Sequence, residues 1–132
     1  MLVEHPDTVM IVPVDGDEVV LVRQRRPGAT EPTIEVPAGK IEAGETPREA
    51  AARELKEECG LAADDWEELG AFYAAAAYST EYVHAFLARG LRPVGSPELE
   101  VLRRTLEQAL SDTNDAGTLA AIALWRVKSD PC

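Results

Sequence analysis

Cysteine is scarce in this chain: Cys59 and Cys132 are the only two among 132 residues. Two sulfurs so far apart build neither a disulfide framework nor a Cys-x-x-Cys metal site, so a reducing cytoplasm is the expected compartment. Basic residues are in the minority as well. Thirteen Lys and Arg stand against 24 Asp and Glu, a formal charge of -11, which disfavours nonspecific attraction to nucleic acid or an anionic membrane. A phosphate-binding role would need help from cations. Long apolar runs are also missing, since Ala116–Trp125 falls well short of the roughly 20 residues that span a bilayer. The N-terminus, Met1-Leu-Val-Glu-His-Pro-Asp7, lacks the basic region, apolar core and small-residue cleavage site of a secretory signal. No repeat, low-complexity tract or domain-sized linker interrupts the chain. With 45% hydrophobic and 28% charged residues, residues 1–132 read as a single domain with an ordinary core.

The hydrophobic pattern alternates between strand and helix. Thr8–Val14 and Glu18–Arg23 are rich in β-branched residues and flank Asp15-Gly16-Asp17, which predicts a β-hairpin. A loop follows through Pro32, then a short strand at Thr33–Val36, and Gly39 and Gly44 bracket a second loop. The clearest helix comes next. Thr46 supplies an N-cap hydroxyl, Pro47 the first helical position, Glu49 the acid that closes a capping box, and Gly60 a left-handed stop. Ala51, Ala52, Leu55 and Cys59 recur at three- and four-residue spacing and are expected to face the core. Further strands are predicted at Trp66–Tyr73 and Glu81–Ala88, the second covered on both faces. Arg92–Pro97 reads as a loop. Helices follow at Thr105–Ser111 and Asp115–Lys128, the latter with Leu119, Ile122 and Ala123 on one side. A mixed sheet with helices packed on it is the economical fold class, α/β in composition.

On the Thr46–Gly60 helix, Glu54, Glu57 and Glu58 fall at i, i+3 and i+4, which puts three negative charges on one side. Two readings account for that. Carboxylate oxygens suit hard cations such as Mg²⁺, which commonly combines one or two carboxylates with water and substrate phosphates. The other reading is a solvated glutamate face.

The surroundings favour the first. Gly39-Lys-Ile-Glu-Ala-Gly-Glu45, Thr46–Ala52 and Arg53-Glu-Leu-Lys-Glu-Glu-Cys-Gly-Leu61 follow the pattern Gly-x5-Glu-x7-Arg-Glu-U-x-Glu-Glu-x-Gly-U, where U is bulky and aliphatic. This segment resembles the Nudix box at every defining position. The resemblance implies an α/β/α sandwich and a hydrolase that cleaves a nucleoside diphosphate linked to another group, using Mg²⁺ or Mn²⁺. Carried over by position, it makes Glu54 and Glu58 the main metal ligands and Glu57 an additional ligand or a water-mediated partner. It also offers the backbone carbonyl of Ala38 as a ligand, and pairs Arg53 with Glu45 to orient the helix.

A softer similarity points to the ADP-ribose pyrophosphatase branch. It rests on His5-Pro-Asp7, Val22-Arg-Gln-Arg-Arg26, Glu35-Val-Pro-Ala-Gly39, Phe72-Tyr73, Tyr78-Ser-Thr-Glu81, His84-Ala-Phe-Leu-Ala88 and Asp115-Ala-Gly-Thr-Leu119. In that branch Glu35 and Glu81 lie near the substrate, though each also reads as a strand-edge charge. Arg26 reads as a bidentate phosphate clamp or as a surface charge. The chain departs from the branch in three places: its N-terminal segment, Ala76 at a proline position with Arg25 at a tyrosine position, and an acidic loop shortened to Gly95–Glu100. Glu98 or Glu100 fills the catalytic-base role of that loop, or is a solvated loop glutamate. His5 and His84 have no ligand partner at zinc spacing. Trp66 and Trp125 read as packing residues, and Phe72 and Tyr73 as core or base-stacking aromatics.

The expectation is a Mg-dependent hydrolase (Mn²⁺ being possible) with a nucleotide-type small-molecule substrate, converting ADP-ribose to AMP and ribose 5-phosphate. The alternatives are a MutT-like nucleoside triphosphate pyrophosphatase and a noncatalytic nucleotide sensor. No nucleic-acid or membrane partner is expected. The resemblance also implies a homodimer, formed here through a surface other than the branch's N-terminal arm.

Overall fold

A computed structural model of the chain describes residues 1–129; Cys132, one of the two cysteines weighed above, lies outside them. The hairpin forms as the sequence predicts. Strands β1 (Thr8–Asp15) and β2 (Glu18–Gln24) pair antiparallel at Val14–Val19 and Asp15–Glu18, leaving Gly16-Asp17 as the turn. The other strands are β3 (Thr33–Glu35), β4 (Ala38–Lys40), β5 (Leu61–Tyr73), β6 (Tyr82–Pro93) and β7 (Glu100–Thr105). The helices are α1 (Pro47–Cys59), α2 (Leu106–Asp112) and α3 (Ala116–Ser129).

The sheet is mixed, in the order β3-β2-β1-β6-β5, with β4 added to β1 and β7 to β2. Strand β1 runs parallel to β6 along one edge. Along its other edge it meets β4 at Thr8–Met10 and β2 only at Val14–Asp15. The two wings therefore diverge at the start of β1, and this gap is where the cleft opens.

Strand alternation sorts the core into two layers. Val9, Ile11, Val20, Val22, Phe86 and Ala88 pack with Ala50, Ala51, Leu55 and Cys59 of α1. Their neighbours Val12, Val14, Val19, Leu21, Ala85 and Leu87 pack with Ala121, Ile122 and Trp125 of α3. Because both faces of the sheet are covered, runs such as Val19-Val20-Leu21-Val22 are continuously apolar. The architecture is the expected α/β/α sandwich. Among the described residues no helix is long and apolar enough to cross a membrane.

Helix α1 starts and stops on local chemistry. The Thr46 hydroxyl accepts from the Glu49 N–H at 3.1 Å and the Glu49 carboxylate accepts from the Thr46 N–H at 2.9 Å, closing the capping box. At the other end Gly60 adopts φ +69° and donates its N–H to the Lys56 carbonyl. A Cβ at residue 60 would also stand 2.4 Å from the Gly95 carbonyl oxygen, so glycine is required there twice over.

Five sequence expectations are corrected. The segment read as a loop from Gly39 contains β4, whose three residues have no apolar period to reveal it. Strand β5 begins at Leu61, directly after α1, its acid-rich first half being an exposed sheet edge. The acidic loop expected over Gly95–Glu100 ends at Leu99, because Glu100 begins β7. On α1 the buried alanines are Ala50 and Ala51, with Ala52 half-buried. On α3 the buried face is Thr118, Ala121, Ile122 and Trp125, while Leu119 and Ala123 are exposed. That helix is apolar nearly all round, so its period could not tell inside from outside.

Candidate active site

A cleft of about 700 Å³ lies between the diverging wings. The chain crosses from β3 to β4 there, and the Pro37 carbonyl accepts the Ile11 N–H at 3.0 Å to keep the crossing closed. Glu54 and Glu58 reach the cleft from α1, Arg26 and Glu35 from the β2–β3 segment, Ala38 and Gly39 from β4. Glu81, just before β6, and Asp115, just before α3, line it too.

The i, i+4 spacing puts Glu54 and Glu58 on one stripe of α1, and strand β4 is where that stripe lands. The Glu54 carboxylate sits directly over Gly39: a Cβ there would stand 2.1 Å from its carboxyl carbon. Only glycine lets the carboxylate approach the strand this closely. Glu58 accepts the Ala38 N–H at 3.0 Å. Burial pushes its pKa up to about 7, with the Glu54 charge adding to the rise against the opposing Ala38 hydrogen bond and Arg26 charge. Glu54 is raised by burial as well, against the pull of Arg53. Two carboxylates held close with incomplete charge compensation make a site that gains from a cation.

Arg53 organises the helix end. Its Nε and Nη2 donate to the two Glu45 oxygens at 2.7 and 3.0 Å, its Nη1 to Glu54 at 2.8 Å and Glu57 at 3.2 Å, and its Nη2 also to the Lys40 carbonyl at 2.9 Å. The hydrogen bonds from Arg53, together with the Glu42 N–H, hold the Glu45 carboxyl below its ordinary range. The Arg53–Glu45 pair named above is thus present, and it joins α1 to the loop before it and to β4.

Across the cleft, Glu35 is 3% exposed and grips Arg26 through two parallel bonds of 2.9 and 2.8 Å. The Thr33 hydroxyl adds a third donor at 2.5 Å. Burial raises the Glu35 pKa, yet these donors outweigh it and the net shift is downward. Arg26 Nη1 has no hydrogen-bond partner among the described residues. Glu81 accepts the Thr8 hydroxyl at 2.9 Å.

Two expected site residues stand apart. Glu57 has a side chain 43% exposed, held at Arg53, and is not among the residues lining the cleft. Glu100 is not brought to the cleft either. The Glu98 and Leu99 N–H groups donate to the Glu57 and Glu58 carbonyls, tying this loop to the end of α1, and Glu100 then pairs in register with Arg23, bonding its Nη1 at 2.6 Å. An arginine directly across the ladder is thus the partner of that carboxylate. Conversely, the fold brings Asp115, which the sequence presents only within the Asp115–Leu119 motif, to the cleft. Its place in the cleft depends on Thr118, whose N–H and hydroxyl donate to Asp115 at 2.9 and 2.7 Å while its oxygen accepts the Val36 N–H at 3.0 Å.

The aromatic readings divide. Trp125 is core, and Trp66 packs edge-on to Phe86 beneath the Arg48 guanidinium. Phe72 packs against the α3-side core, whereas Tyr73 is exposed and stacks on Tyr82. His84 pairs with Asp7 at 3.0 Å, and His5 lines the cleft.

The residues fit a hard divalent cation. The donors at Glu54 and Glu58 are all oxygen, and the Gly39 cradle has room for carboxylate but not for a methyl group. Among the described residues no three acidic, imidazole or thiol side chains gather into a ready-made cage. Carboxylate oxygens suit Mg²⁺ or Mn²⁺, which complete their shells with water and substrate phosphate.

Comparison with known proteins agrees with this geometry. Residues 4–122 match the NUDIX domain family, and the chain belongs to the Nudix hydrolases. It is 36% identical over 140 residues to an ADP-ribose pyrophosphatase of Bacillus subtilis, covering 96% of this chain and 76% of that protein. It is 33% identical over 117 residues to a methanol dehydrogenase activator of Bacillus methanolicus, covering 83% of this chain and 63% of the relative. A crystal structure of an ADP compounds hydrolase superposes with a TM-score of 0.84 at 31% identity, over 93% of this chain and 73% of that one. This chain therefore spans 63% to 76% of the length of these three proteins.

Proposed function

We propose that this Nudix hydrolase, a single domain over residues 1–132, cleaves the diphosphate bridge of a nucleoside diphosphate sugar, converting ADP-sugars, ADP-ribose first among them, to AMP and a sugar phosphate. The observation that carries the reading is the Glu54–Glu58 pair, seated on the backbone of β4 and facing Arg26 across the cleft. The names of the ADP-ribose pyrophosphatase and ADP compounds hydrolase relatives support the substrate class.

Glu54 and Glu58, with the Ala38 carbonyl as a further oxygen donor, would hold Mg²⁺ or Mn²⁺, and Glu57 would reach the ion through a coordinated water. When bound, the ion offsets the charge of the bridge and makes a coordinated water more acidic. The chain's own residues do the rest. Arg26, fixed by Glu35, presents its remaining guanidinium N–H groups to a phosphate oxygen. Arg53 holds Glu54 and Glu57 in register. Glu81, an acceptor when ionised, takes hydrogen bonds from substrate hydroxyls. In the overall reaction water adds its oxygen to one phosphorus, the bridging P–O bond breaks, and the two protons of the water are released as two dianionic phosphomonoesters form.

The test is chromatography of products after incubation with Mg²⁺, and separately Mn²⁺, on ADP-ribose, a second ADP-sugar and a deoxynucleoside triphosphate. AMP with ribose 5-phosphate supports the proposal. A nucleoside monophosphate with pyrophosphate, formed from the triphosphate alone, replaces it with a MutT-like activity. No turnover of any substrate with either metal moves the chain to the sensor reading.

A further inference from the structure

The part of the cleft that lies along β1 has its own chemistry. On β1, Thr8 and Met10 project to the same face. Thr8 donates its hydroxyl to Glu81, and Met10 packs against the first turn of α3 so tightly that a Cβ on Gly117 would stand 2.3 Å from its terminal methyl. Glu81 and Asp115 are thereby held at either side of one strip of β1, with Thr8, Met10, Ala116 and Gly117 lining the cleft between them.

Asp115 is anchored through one oxygen only. Its Oδ2 receives both the N–H and the hydroxyl of Thr118, and Thr118 is fully buried and receives the Val36 N–H in turn. The same bonds fix the position of the segment after Glu35. Oδ1 has no hydrogen-bond partner among the described residues, in a side chain that lines the cleft. An ionised carboxylate only accepts hydrogen bonds, so it favours a hydroxyl-rich group and repels phosphate.

We infer that Asp115 is a specificity-determining residue: with Glu81 across the strip, it accepts hydrogen bonds from the vicinal hydroxyls of a sugar ring. The inference rests on the pyrophosphohydrolase reading above and deepens it. The phosphates lie toward Glu54 and Glu58, within reach of Arg26, and the hydroxylated group lies between the two acceptors. A substrate carrying a further phosphate on that group is rejected by two negative charges. The bridge that is cut is therefore one with a neutral, diol-bearing group on at least one side.

Asp115 also caps α3, so the variants must keep a cap. Asp115→Asn and Asp115→Ser both retain a capping side chain. Asn converts half of the acceptor pair to a donor, and Ser removes the second oxygen altogether. Steady-state kinetics would use ADP-ribose, the propyl ester of ADP, which lacks the terminal diol, and the 2′,3′-dideoxyadenosine counterpart of ADP-ribose, which lacks the other. The expected result is that Asp115→Ser raises KM for ADP-ribose about tenfold, with kcat changed no more than about twofold. For one of the two diol-deficient substrates the variant and the parent should then be alike, because the interaction has no donor left to lose. An unchanged KM in Asp115→Ser overturns the inference. So does an equal loss on all three substrates, which would mark the residue as a cap only. A parent protein inactive on every nucleoside diphosphate compound overturns the underlying activity as well, and the two failures are told apart by the parent alone.

Discussion

Glu54 lies against Gly39 so closely that a methyl group at residue 39 would overlap its carboxyl carbon, at 2.1 Å. The glycine and the glutamate are 15 positions apart, yet each restricts the other. We predict that Gly39→Ala displaces the Glu54 carboxylate from β4 and costs about 1–3 kcal/mol of stability through overpacking. Thermal unfolding and Mn²⁺ titration of the folded variant check this: lower stability together with at least tenfold weaker metal binding is expected. A variant that binds metal like the parent would remove Gly39 as the cradle.

The Glu58 carboxyl, pushed up to about 7 by burial and by Glu54, makes the metal-free protein pH-sensitive in a defined direction. Its folded pKa exceeds the ordinary value of 4.5, so the folded state holds the proton more tightly than the unfolded chain. Its stabilising contribution is complete below the ordinary value and is lost as pH rises through the folded one. Thermal unfolding without metal should therefore show a loss between pH 5 and pH 8 that Glu58→Gln abolishes. Saturating Mg²⁺ should recover more stability at the upper pH, where the site is ionised. A loss of equal size in Glu58→Gln would assign the effect to other groups.

What could be read without the structure was local. The Thr46–Gly60 helix was legible because its cap, its stop and the i, i+4 placement of Glu54 and Glu58 all lie within one short segment. Asp115 was not, because its anchorage runs through Thr118 to Val36, 82 residues away in sequence. Glu81 is named by the resemblance alone, and its orientation by Thr8 across 73 residues is visible only in the fold. Glu100 shows the reverse problem. As a glutamate in an acidic loop it suited a catalytic role, and only the pairing of β2 with β7 reveals that Arg23 stands opposite. Strand β4 escaped notice since three residues, one of them glycine, carry no periodic signal, although this strand supports both main carboxylates.

Arg53 bridges Glu45, Glu54, Glu57 and the Lys40 carbonyl with a single planar group. A lysine keeps the charge but cannot reproduce that fork. Arg53→Lys is expected to lower kcat at least tenfold while leaving the protein folded, since Glu54 and Glu57 lose their common anchor. Circular dichroism alongside steady-state kinetics checks both halves, and parental kcat in the folded variant would show that the bridge is dispensable.

The Arg26–Glu35 pair calls for the opposite pH behaviour to Glu58. Burial alone would raise the Glu35 carboxyl, but the Arg26 and Thr33 donors prevail and hold it below its ordinary value of 4.5. Its contribution is present above that value and is lost as pH falls through the lowered one. Glu35→Gln leaves a buried site with one acceptor and an amide directed at a guanidinium, a mismatch that costs about 1–3 kcal/mol at neutral pH and little in acid. Arg26, released from its fork, should then bind the diphosphate less well, so KM rises about tenfold while kcat falls less. Unfolding curves at pH 7 and pH 3.5 with kinetics at pH 7 test this: a destabilisation equal at both pH values would show that the fork contributes no ionic stability, and an unchanged KM would show that Arg26 does not meet the substrate.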